Sequence, residues 1–384
     1  MRIVDVSAFY APQGGGVRTY VERKLAAAPA AGHDLTILAP GPADGVEERG
    51  PGARIEWLAA PPFPLDRRYR FFADAAALHA ALDRRAPDLV EVSSPWRSAS
   101  LVAGWQGPAR RVLVMHCDPL SAYAYRWFGG VAERATIDRG FGWFWRHLQR
   151  LDRGYDAVIS ASESLSQRLT EGGLGHVVTN PMGVDPGIFS PALRDEALRA
   201  RLLARCALGP DATLLLGVGR HAPEKRWPML VEAAMAAGFD RPVGMVLIGD
   251  GRERAKLARR IGRNPHILLL SPTANRGELA RLMASADALV HGCEAETFCM
   301  VGAEARASGL AIIAPDEGGA ADHARAAGGL TYRAGSSASA AQAIRRLVDE
   351  RIHGSRGPVR TMDEHFAALF ALYERLRSPE RRAA

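Results

Sequence analysis

Two acidic residues, Glu296 and Glu304, stand eight positions apart in the second half of the chain. The pattern predicts a helix that opens over residues 297–303 and ends at 308–309, with Glu296 in the entry loop and Glu304 inside the helix. Backbone N–H groups at a helix start attract anions, whereas carboxylates accept hydrogen bonds from hydroxyls. A ligand that carries both phosphate and vicinal hydroxyls, such as a sugar nucleotide, suits this site. Glu304 taken alone is equally typical of a solvated helix face.

A second group of candidate residues lies at strand-to-helix turns upstream of this helix. Arg220 and Lys225 flank the turn that follows an apolar strand at 213–216. Ligands of open α/β sheets bind at the carboxyl ends of strands, where two fixed cations can hold a diphosphate. Gly249 and Gly251 follow another strand, and their missing Cβ atoms allow backbone to approach a flat ligand such as a nucleobase. Ordinary surface charge and ordinary turns are the simpler explanations of these features.

Short β-rich runs alternate with alanine-rich helical stretches along the chain, which predicts two doubly wound parallel sheets. A segment rich in turn-forming residues at 180–187 reads as the connection between them, which places the boundary near Val184. Two such lobes leave a cleft between their strand ends, where a ligand binds. The predicted strands are 2–9, 34–39, 54–58, 88–92, 111–116, 156–160 and 176–179 in the first half, and 213–218, 243–249, 266–271, 287–291 and 311–315 in the second.

Composition is that of an ordinary globular protein large enough for two cores, with 384 residues, 47% hydrophobic and 24% charged. Neither a signal peptide nor an apolar run long enough for a membrane-spanning helix is present in the sequence, which predicts a cytoplasmic protein. The four cysteines form no C-x-x-C pair, so no disulfide framework or zinc site is expected. They are Cys117, Cys206, Cys293 and Cys299.

The formal net charge of +7 favours anionic partners. Nucleic acid is the weakest option because no nucleic-acid-binding signature is present and the basic residues are dispersed. Two segments, 67–72 and 139–146, mix cations with aromatic residues, a composition that suits an anionic membrane surface. A core-facing aromatic stripe is the alternative, and it is the better explanation for residues 143–145.

The order and spacing of these motifs resemble the retaining family-4 glycosyltransferases of the GT-B fold, and the resemblance runs nearly end to end. It is closest to the bacterial α-mannosyltransferase-like members. This resemblance implies an acceptor-binding Rossmann-like domain at 1–183, joined by a returning helix within 361–384, and a donor-binding Rossmann-like domain at 184–360. The matching landmarks are the glycine loop 14–16 with Arg18, the strand end at His116, and the segments 180–185, 217–227, 247–251, 296–304 and 317–319.

Site roles follow from the resemblance, position by position. Two departures from the family pattern alter the surroundings of the donor: Cys299 stands in place of a glycine, and Asp322 in place of a glutamate. The resemblance implies catalytic roles for Arg220, Lys225, Glu296 and His116, and acceptor contacts for Arg18 and Asp118. It implies donor contacts for Gly15, Gly16, Gly219, Gly249, Gly251, Thr297, Phe298, Cys299, Met300 and Glu304.

The implied reaction moves a hexose, mannose by resemblance, from a GDP- or UDP-linked donor to a glycan or lipid-linked acceptor of cell-envelope or polysaccharide biosynthesis. Retention of anomeric configuration is expected, without a cofactor or metal. The sequence contains no Asp-x-Asp pair to hold Mg²⁺ or Mn²⁺. Glucosyl or galactosyl transfer, a nucleotide-sugar epimerase and a silent nucleotide-sugar-binding paralogue remain open. A dinucleotide oxidoreductase is disfavoured because residues 14–16 lack the full G-x-G-x-x-G spacing. The expected location is cytoplasmic, with contact to the inner face of the membrane.

Overall fold

The chain folds into two β-sheets flanked by helices, in a computed structural model that describes residues 1–10, 16–64, 69–116, 118, 120, 124, 134–355 and 357–378. The strands are β1 Arg2–Val6, β2 Asp34–Gly41, β3 Gly45–Gly50, β4 Ala53–Ala59, β5 Leu89–Val92, β6 Arg110–Met115, β7 Ala157–Ser160, β8 Val177–Thr179, β9 Thr213–Val218, β10 Val243–Ile248, β11 Ile267–Leu270, β12 Ala288–Val290, β13 Ala311–Pro315 and β14 Leu330–Tyr332.

Helices connect successive strands, as a doubly wound sheet requires. They are α1 Gly16–Ala30, α2 Ala75–Arg85, α3 Arg97–Ala103, α4 Arg134–Gly140, α5 Gly142–Asp152, α6 Glu163–Glu171, α7 Glu196–Arg205, α8 Trp227–Ala237, α9 Arg254–Ile261, α10 Arg276–Ser285, α11 Met300–Ala307, α12 Gly318–Ala326, α13 Ser337–Asp349 and α14 Met362–Arg377. Short 3₁₀ turns occupy Pro191–Leu193 and Pro223–Lys225.

The first sheet has eight strands in the order β3-β4-β2-β1-β5-β6-β7-β8, and the second has six in the order β11-β10-β9-β12-β13-β14. All pairings are parallel except that of β3 with β4. Each predicted strand is confirmed, with ends shifted by up to three residues. The strand β3, which the sequence did not predict, adds an antiparallel edge to the first sheet, and its six residues are all exposed. Apolar layers lie on both faces of each sheet, as buried parallel strands demand.

The last helix, α14, returns to the first sheet as predicted. Its start carries a capping box in which the Thr361 hydroxyl accepts the Glu364 N–H at 3.2 Å while the Glu364 carboxylate accepts the Thr361 N–H at 2.7 Å. Its buried face, which includes Phe366 and the fully buried Tyr373, packs in the apolar layer that also holds Tyr20 of α1. The helix therefore belongs to the core of the first half, although it follows the second half in sequence.

The two chain crossings between the halves run side by side. The Val184 N–H donates to the Arg360 carbonyl at 2.9 Å, and the Met362 N–H donates to the Val184 carbonyl at 2.9 Å. Gly183 sits against this bridge so closely that a Cβ there would lie 2.1 Å from the Thr361 carbonyl carbon. The division into an acceptor-binding domain, 1–183 with the returning helix within 361–384, and a donor-binding domain, 184–360, stays a prediction.

Candidate functional site

Glycines shape the first part of the site, where the loops after β9 and β10 cross. Gly219 and Gly251 both have φ of +150°, a conformation that favours glycine. A Cβ on Gly249 would lie 2.0 Å from the Gly219 carbonyl oxygen, and one on Gly251 would lie 2.6 Å from the His221 carbonyl oxygen. The missing Cβ atoms of these glycines therefore allow two backbone loops to pack closely, and the approach to a nucleobase stays a prediction. This crossing fixes the turn that carries Arg220.

Arg220 and Lys225 flank one turn but have different surroundings. The Arg220 side chain is 81% exposed and lies 3.4 Å from a Glu224 carboxylate oxygen. The Lys225 side chain is only 17% exposed, and its ammonium contacts Glu296. The Trp227 indole N–H donates to the Arg220 carbonyl at 2.8 Å, which holds the turn between the two cations. One cation is thus available at the surface and the other is fixed below it.

Glu296 lies at the centre of the site. Its backbone carbonyl accepts the Gly319 N–H at 2.7 Å, and its carboxylate lies 3.5 Å from the His291 ring nitrogen Nε2 as well as against Lys225. Burial acts to raise the pKa of Glu296, but its hydrogen bond to His291 and the charge of Lys225 outweigh burial and hold that pKa well below its ordinary value. Burial likewise acts to lower the pKa of Lys225, and the Glu296 carboxylate reverses that effect. The pair is therefore charged at neutral pH.

The helix after Glu296 starts later than the sequence predicts. The start at 297 was wrong, because Cys299 adopts φ +68° and ψ +73°, which interrupts the helical path, so that α11 begins at Met300. Thr297 does not cap it, since its hydroxyl donates to the His116 carbonyl at 3.0 Å in the other half. Phe298 is buried and meets the His323 ring edge-on at 4.8 Å. Cys299 thus occupies the left-handed position that a glycine would fill without strain.

Glu304 is inside α11, as predicted, but it is buried and paired. Its carboxylate accepts a hydrogen bond from Arg276 at 2.8 Å, and the same guanidinium lies 3.2 Å from Asp185. Burial raises the pKa of Glu304, and the Arg276 charge opposes that rise. The interdomain cavity described below is lined by Glu296 but not by Glu304. Glu304 is instead held by the ion pair with Arg276, and its predicted contact with the donor stays a prediction.

His116 ends β6 in the first half, next to the loop of Glu296. Its ring stands edge-on to Tyr20 at 5.2 Å, and burial lowers its pKa to about 4, so it is neutral at physiological pH. A second link between the halves joins the Asp322 carboxylate to the Ser164 hydroxyl at 2.9 Å. His116 is therefore brought to the cleft beside Glu296, as the sequence predicts.

A cavity of about 360 Å³ opens between α6 of the first half and the loops around Glu296. Asp118 lines it and lies 2.9 Å from Arg168. Carboxylates dominate this wall, which suits a ligand rich in hydroxyl groups. The lining residues are Asp118, Ser164, Leu165, Gln167, Arg168, Glu171, Glu294, Ala295, Glu296, Thr297, Glu317 and Gly318.

The glycine loop of the first half falls largely outside the described residues, which resume at residue 16. Nothing is therefore stated of Gly14 or Gly15, and Gly16 is the first residue of α1. Arg18, on the first turn of α1, is exposed. The acceptor roles of Arg18 and Asp118 stay predictions.

The structure adds residues that sequence reasoning did not assign to the site. Arg276, at the start of α10, follows the strand end of β11, and this position was the available signal. Cys293 follows β12 and is buried beside the loop of Glu296. Arg226 pairs with Glu294 through two nitrogen atoms, one of them at 2.8 Å, and so joins the Lys225 turn to the Glu296 loop.

The aromatic segments divide between core and surface. Phe144 is buried in the first core, whereas Trp143 is 53% exposed. The core interpretation of residues 143–145 therefore fails for Trp143. In the other segment Phe72 is buried, and residues 67 and 68 lie outside the described residues. Among the helices that the structure describes, none has the length and apolarity needed to cross a membrane.

Two Rossmann-like halves whose charged strand-end loops face a common cleft form the GT-B fold. The sucrose-phosphate synthase of Thermosynechococcus elongatus shares this fold at a TM-score of 0.67, with 21% identity over 98% of this chain and 96% of that one. Residues 14–187 match the model of Glycosyltransferase Family 4, and residues 212–350 match that of Glycosyl transferases group 1. The chain belongs to glycosyltransferase family 4 and is an enzyme of that class.

Two curated relatives are similar to this chain over most of its length. A GDP-mannose-dependent alpha-mannosyltransferase of Mycobacterium tuberculosis is 32% identical over 84% of this chain and 81% of its own length. A GDP-mannose-dependent alpha-(1-6)-phosphatidylinositol dimannoside mannosyltransferase of the same species is 29% identical over 84% of each chain. Mannosyltransferases are the subgroup of the family that the sequence resemblance indicated.

Proposed function

We propose that this enzyme transfers mannose from GDP-mannose to a glycan or lipid-linked acceptor, with retention of anomeric configuration and without a metal ion. The observation that carries the proposal is the contact between Lys225 and Glu296 at the cleft. A donor whose sugar hydroxyls reach Glu296 has its diphosphate within reach of Lys225. The family and the relatives named above support the choice of donor.

Charge complementarity supports the assignment of roles around the diphosphate. Glycosyl transfer passes through an oxocarbenium-like state while the departing diphosphate gains negative charge. The exposed guanidinium of Arg220 and the fixed ammonium of Lys225 can stabilise that charge, together with the N–H groups at the start of α11. With one exposed and one fixed cation at the diphosphate, a metal is unnecessary for this task. The proton of the acceptor hydroxyl leaves on a phosphate oxygen, so no protein base is required.

The remaining contacts divide the donor between the two carboxylates. Glu304, oriented by Arg276, accepts hydrogen bonds from the ribose hydroxyls, and its ion pair keeps it available as an acceptor. Glu296, held by His291 and Lys225, accepts hydrogen bonds from the mannose hydroxyls. His116 is neutral and can therefore share a hydrogen bond with a sugar hydroxyl without adding charge near the oxocarbenium centre.

The acceptor enters through the carboxylate-rich cavity between the halves. A wall dominated by carboxylates disfavours a phosphate and favours a neutral sugar ring at the reacting end of the acceptor. A lipid-linked acceptor brings the protein to a membrane, and exposed Trp143 on α5, with Arg146 one turn on, provides an aromatic and basic contact there. Flotation with anionic vesicles tests this contact, and no binding at low salt would remove the membrane from the proposal.

A donor panel tests the proposed reaction. The purified protein is incubated with GDP-mannose, GDP-glucose, UDP-glucose and UDP-galactose, and with mannosides as acceptors, and free nucleoside diphosphate is measured with and without EDTA. We expect release from GDP-mannose, unaffected by the chelator, and an α-linked product by NMR. Release only from a UDP-sugar would refute the choice of donor, and a β-linked product would refute retention. Epimerised donor, or binding without turnover, would refute transfer altogether.

A further inference from the structure

The loop between β12 and α11 gathers four buried or nearly buried side chains that suit a soft metal ion. Atoms of His291, Cys293 and Glu296 lie within 4.8 Å of one another. The Cys299 sulfur lies 3.8 Å from the His291 Nε2 atom, which itself lies 3.5 Å from a Glu296 oxygen. The spacing of these residues in sequence matches no common zinc motif, so only the fold reveals the cluster.

Two of the distances between these side chains are close to those of a tetrahedral zinc site. Zinc bonds of about 2.0 Å to nitrogen or oxygen and about 2.3 Å to sulfur separate neighbouring ligand atoms by about 3.3–3.7 Å. The distances from His291 to Glu296 and to Cys299 already lie close to that range.

Charge also favours a divalent ion here. Cysteine binds zinc as the thiolate, so Cys293 and Cys299 must each lose a proton to bind the ion. A zinc ion that binds them releases two protons to solvent. The charges of two thiolates, the Glu296 carboxylate, the Lys225 ammonium and the ion then cancel, which a buried cluster requires.

We propose that His291, Cys293, Glu296 and Cys299 form an inhibitory binding site for Zn²⁺ or a similar soft divalent cation in the donor pocket. The ion takes the carboxylate of Glu296 away from Lys225 and from the donor sugar. It therefore competes with the donor, although the enzyme needs no metal for transfer. The loss of transfer rests on the proposed function, whereas metal binding itself does not.

Optical titration with Co²⁺ tests binding independently of activity. Metal-free protein, kept reduced with a non-thiol reductant, is titrated with Co²⁺ and then with Zn²⁺. We expect a thiolate-to-cobalt absorption band and tetrahedral visible bands that Zn²⁺ abolishes. The variant Cys293→Ser should lose the thiolate band of this site or weaken its Co²⁺ affinity by about tenfold or more. An unchanged titration in that variant, or no thiolate band in the parent protein, would overturn the site.

Cys206→Ser is the matched control. Cys206 is also buried and reduced, but it packs against Gly244 at the amino end of β10. The donor loops lie at the carboxyl ends of the strands. The Cys206→Ser variant should bind Co²⁺ like the parent. In turnover assays, Zn²⁺ should lower transfer by about tenfold or more in the parent and in Cys206→Ser, because Glu296 no longer holds the sugar. EDTA should restore transfer in both proteins. Transfer by the Cys293→Ser variant should be unaffected by Zn²⁺. Cobalt binding without any sugar transfer would support the site and refute the proposed function.

Discussion

Replacing Lys225 with methionine removes the ammonium that contacts Glu296 while keeping an unbranched side chain of similar length. Two effects follow and can be measured separately. A fully buried carboxylate left without its partner destabilises a protein by about 3–5 kcal/mol. The Glu296 side chain is 23% exposed and keeps His291 at 3.5 Å, so the expected loss is smaller, about 1–3 kcal/mol.

The effect of Lys225→Met on catalysis is larger. Removing one preorganised group that stabilises developing charge costs about 2.7–4 kcal/mol, or about 10²–10³-fold in kcat. Nucleoside diphosphate release at saturating donor measures kcat, and urea unfolding measures stability. The protein should remain folded at the assay temperature and lose turnover.

Arg226→Met provides the matched control for this prediction. Arg226 pairs with Glu294 and so joins the same two segments as the Lys225–Glu296 pair. Arg226 is the residue after Lys225, and Glu294 lies two residues before Glu296. We expect a similar loss of stability but less than about tenfold loss of kcat, because this guanidinium is assigned no phosphate contact. Near-parental turnover in Lys225→Met would refute the reasoning. Equal loss of turnover in both variants would also refute it, by showing that only the loop position matters.

Three further predictions concern stability and donor binding. Burial lowers the pKa values of His116, His323 and His365 to about 4 from an ordinary 6.5. Unfolding therefore takes up protons in that interval, and stability should fall by up to about 1.4 kcal/mol per histidine per pH unit, as urea unfolding from about pH 7 to about pH 5 can check. A flat profile would contradict the burial. Glu304→Gln should raise the KM for the donor about tenfold with a smaller change in kcat, and an unchanged KM would exclude a ribose contact. Cys299→Gly should change stability by no more than about 1 kcal/mol, because relief of the left-handed backbone offsets the lost buried thiol. A calorimetric loss above about 3 kcal/mol would show that the strain is absent.

Sequence periodicity predicts the buried strands well because strands of a parallel sheet are apolar on both faces. It fails for β3, which is exposed along its length and has no apolar face to reveal it. It also fails for β14, whose polar middle residue, Thr331, is exposed and interrupts the apolar run. The helix α14 was expected from the family resemblance, and the capping box at Thr361 and Glu364 is a local signal of the same helix start. Local signals thus suffice wherever one element buries its own apolar face.

The site is only partly predictable for a different reason. The strand-end positions of Arg220, Lys225 and Glu296 follow from the α/β alternation, because such loops meet at one edge of the sheet. The pairing of Glu304 with Arg276 and the gathering of Cys293 beside Glu296 depend on side-chain directions in three dimensions. Similarly, the start of α11 depends on the left-handed backbone of Cys299. A cysteine gives no sequence signal for that conformation, whereas a glycine would.

A crystal structure of the enzyme with GDP-mannose bound tests the central claim most directly. The account predicts diphosphate oxygens within hydrogen-bond distance of the Lys225 ammonium and the Arg220 guanidinium. It also predicts the mannose ring at Glu296 and the ribose at Glu304. A donor whose phosphates lie elsewhere, touching neither cation, would contradict it.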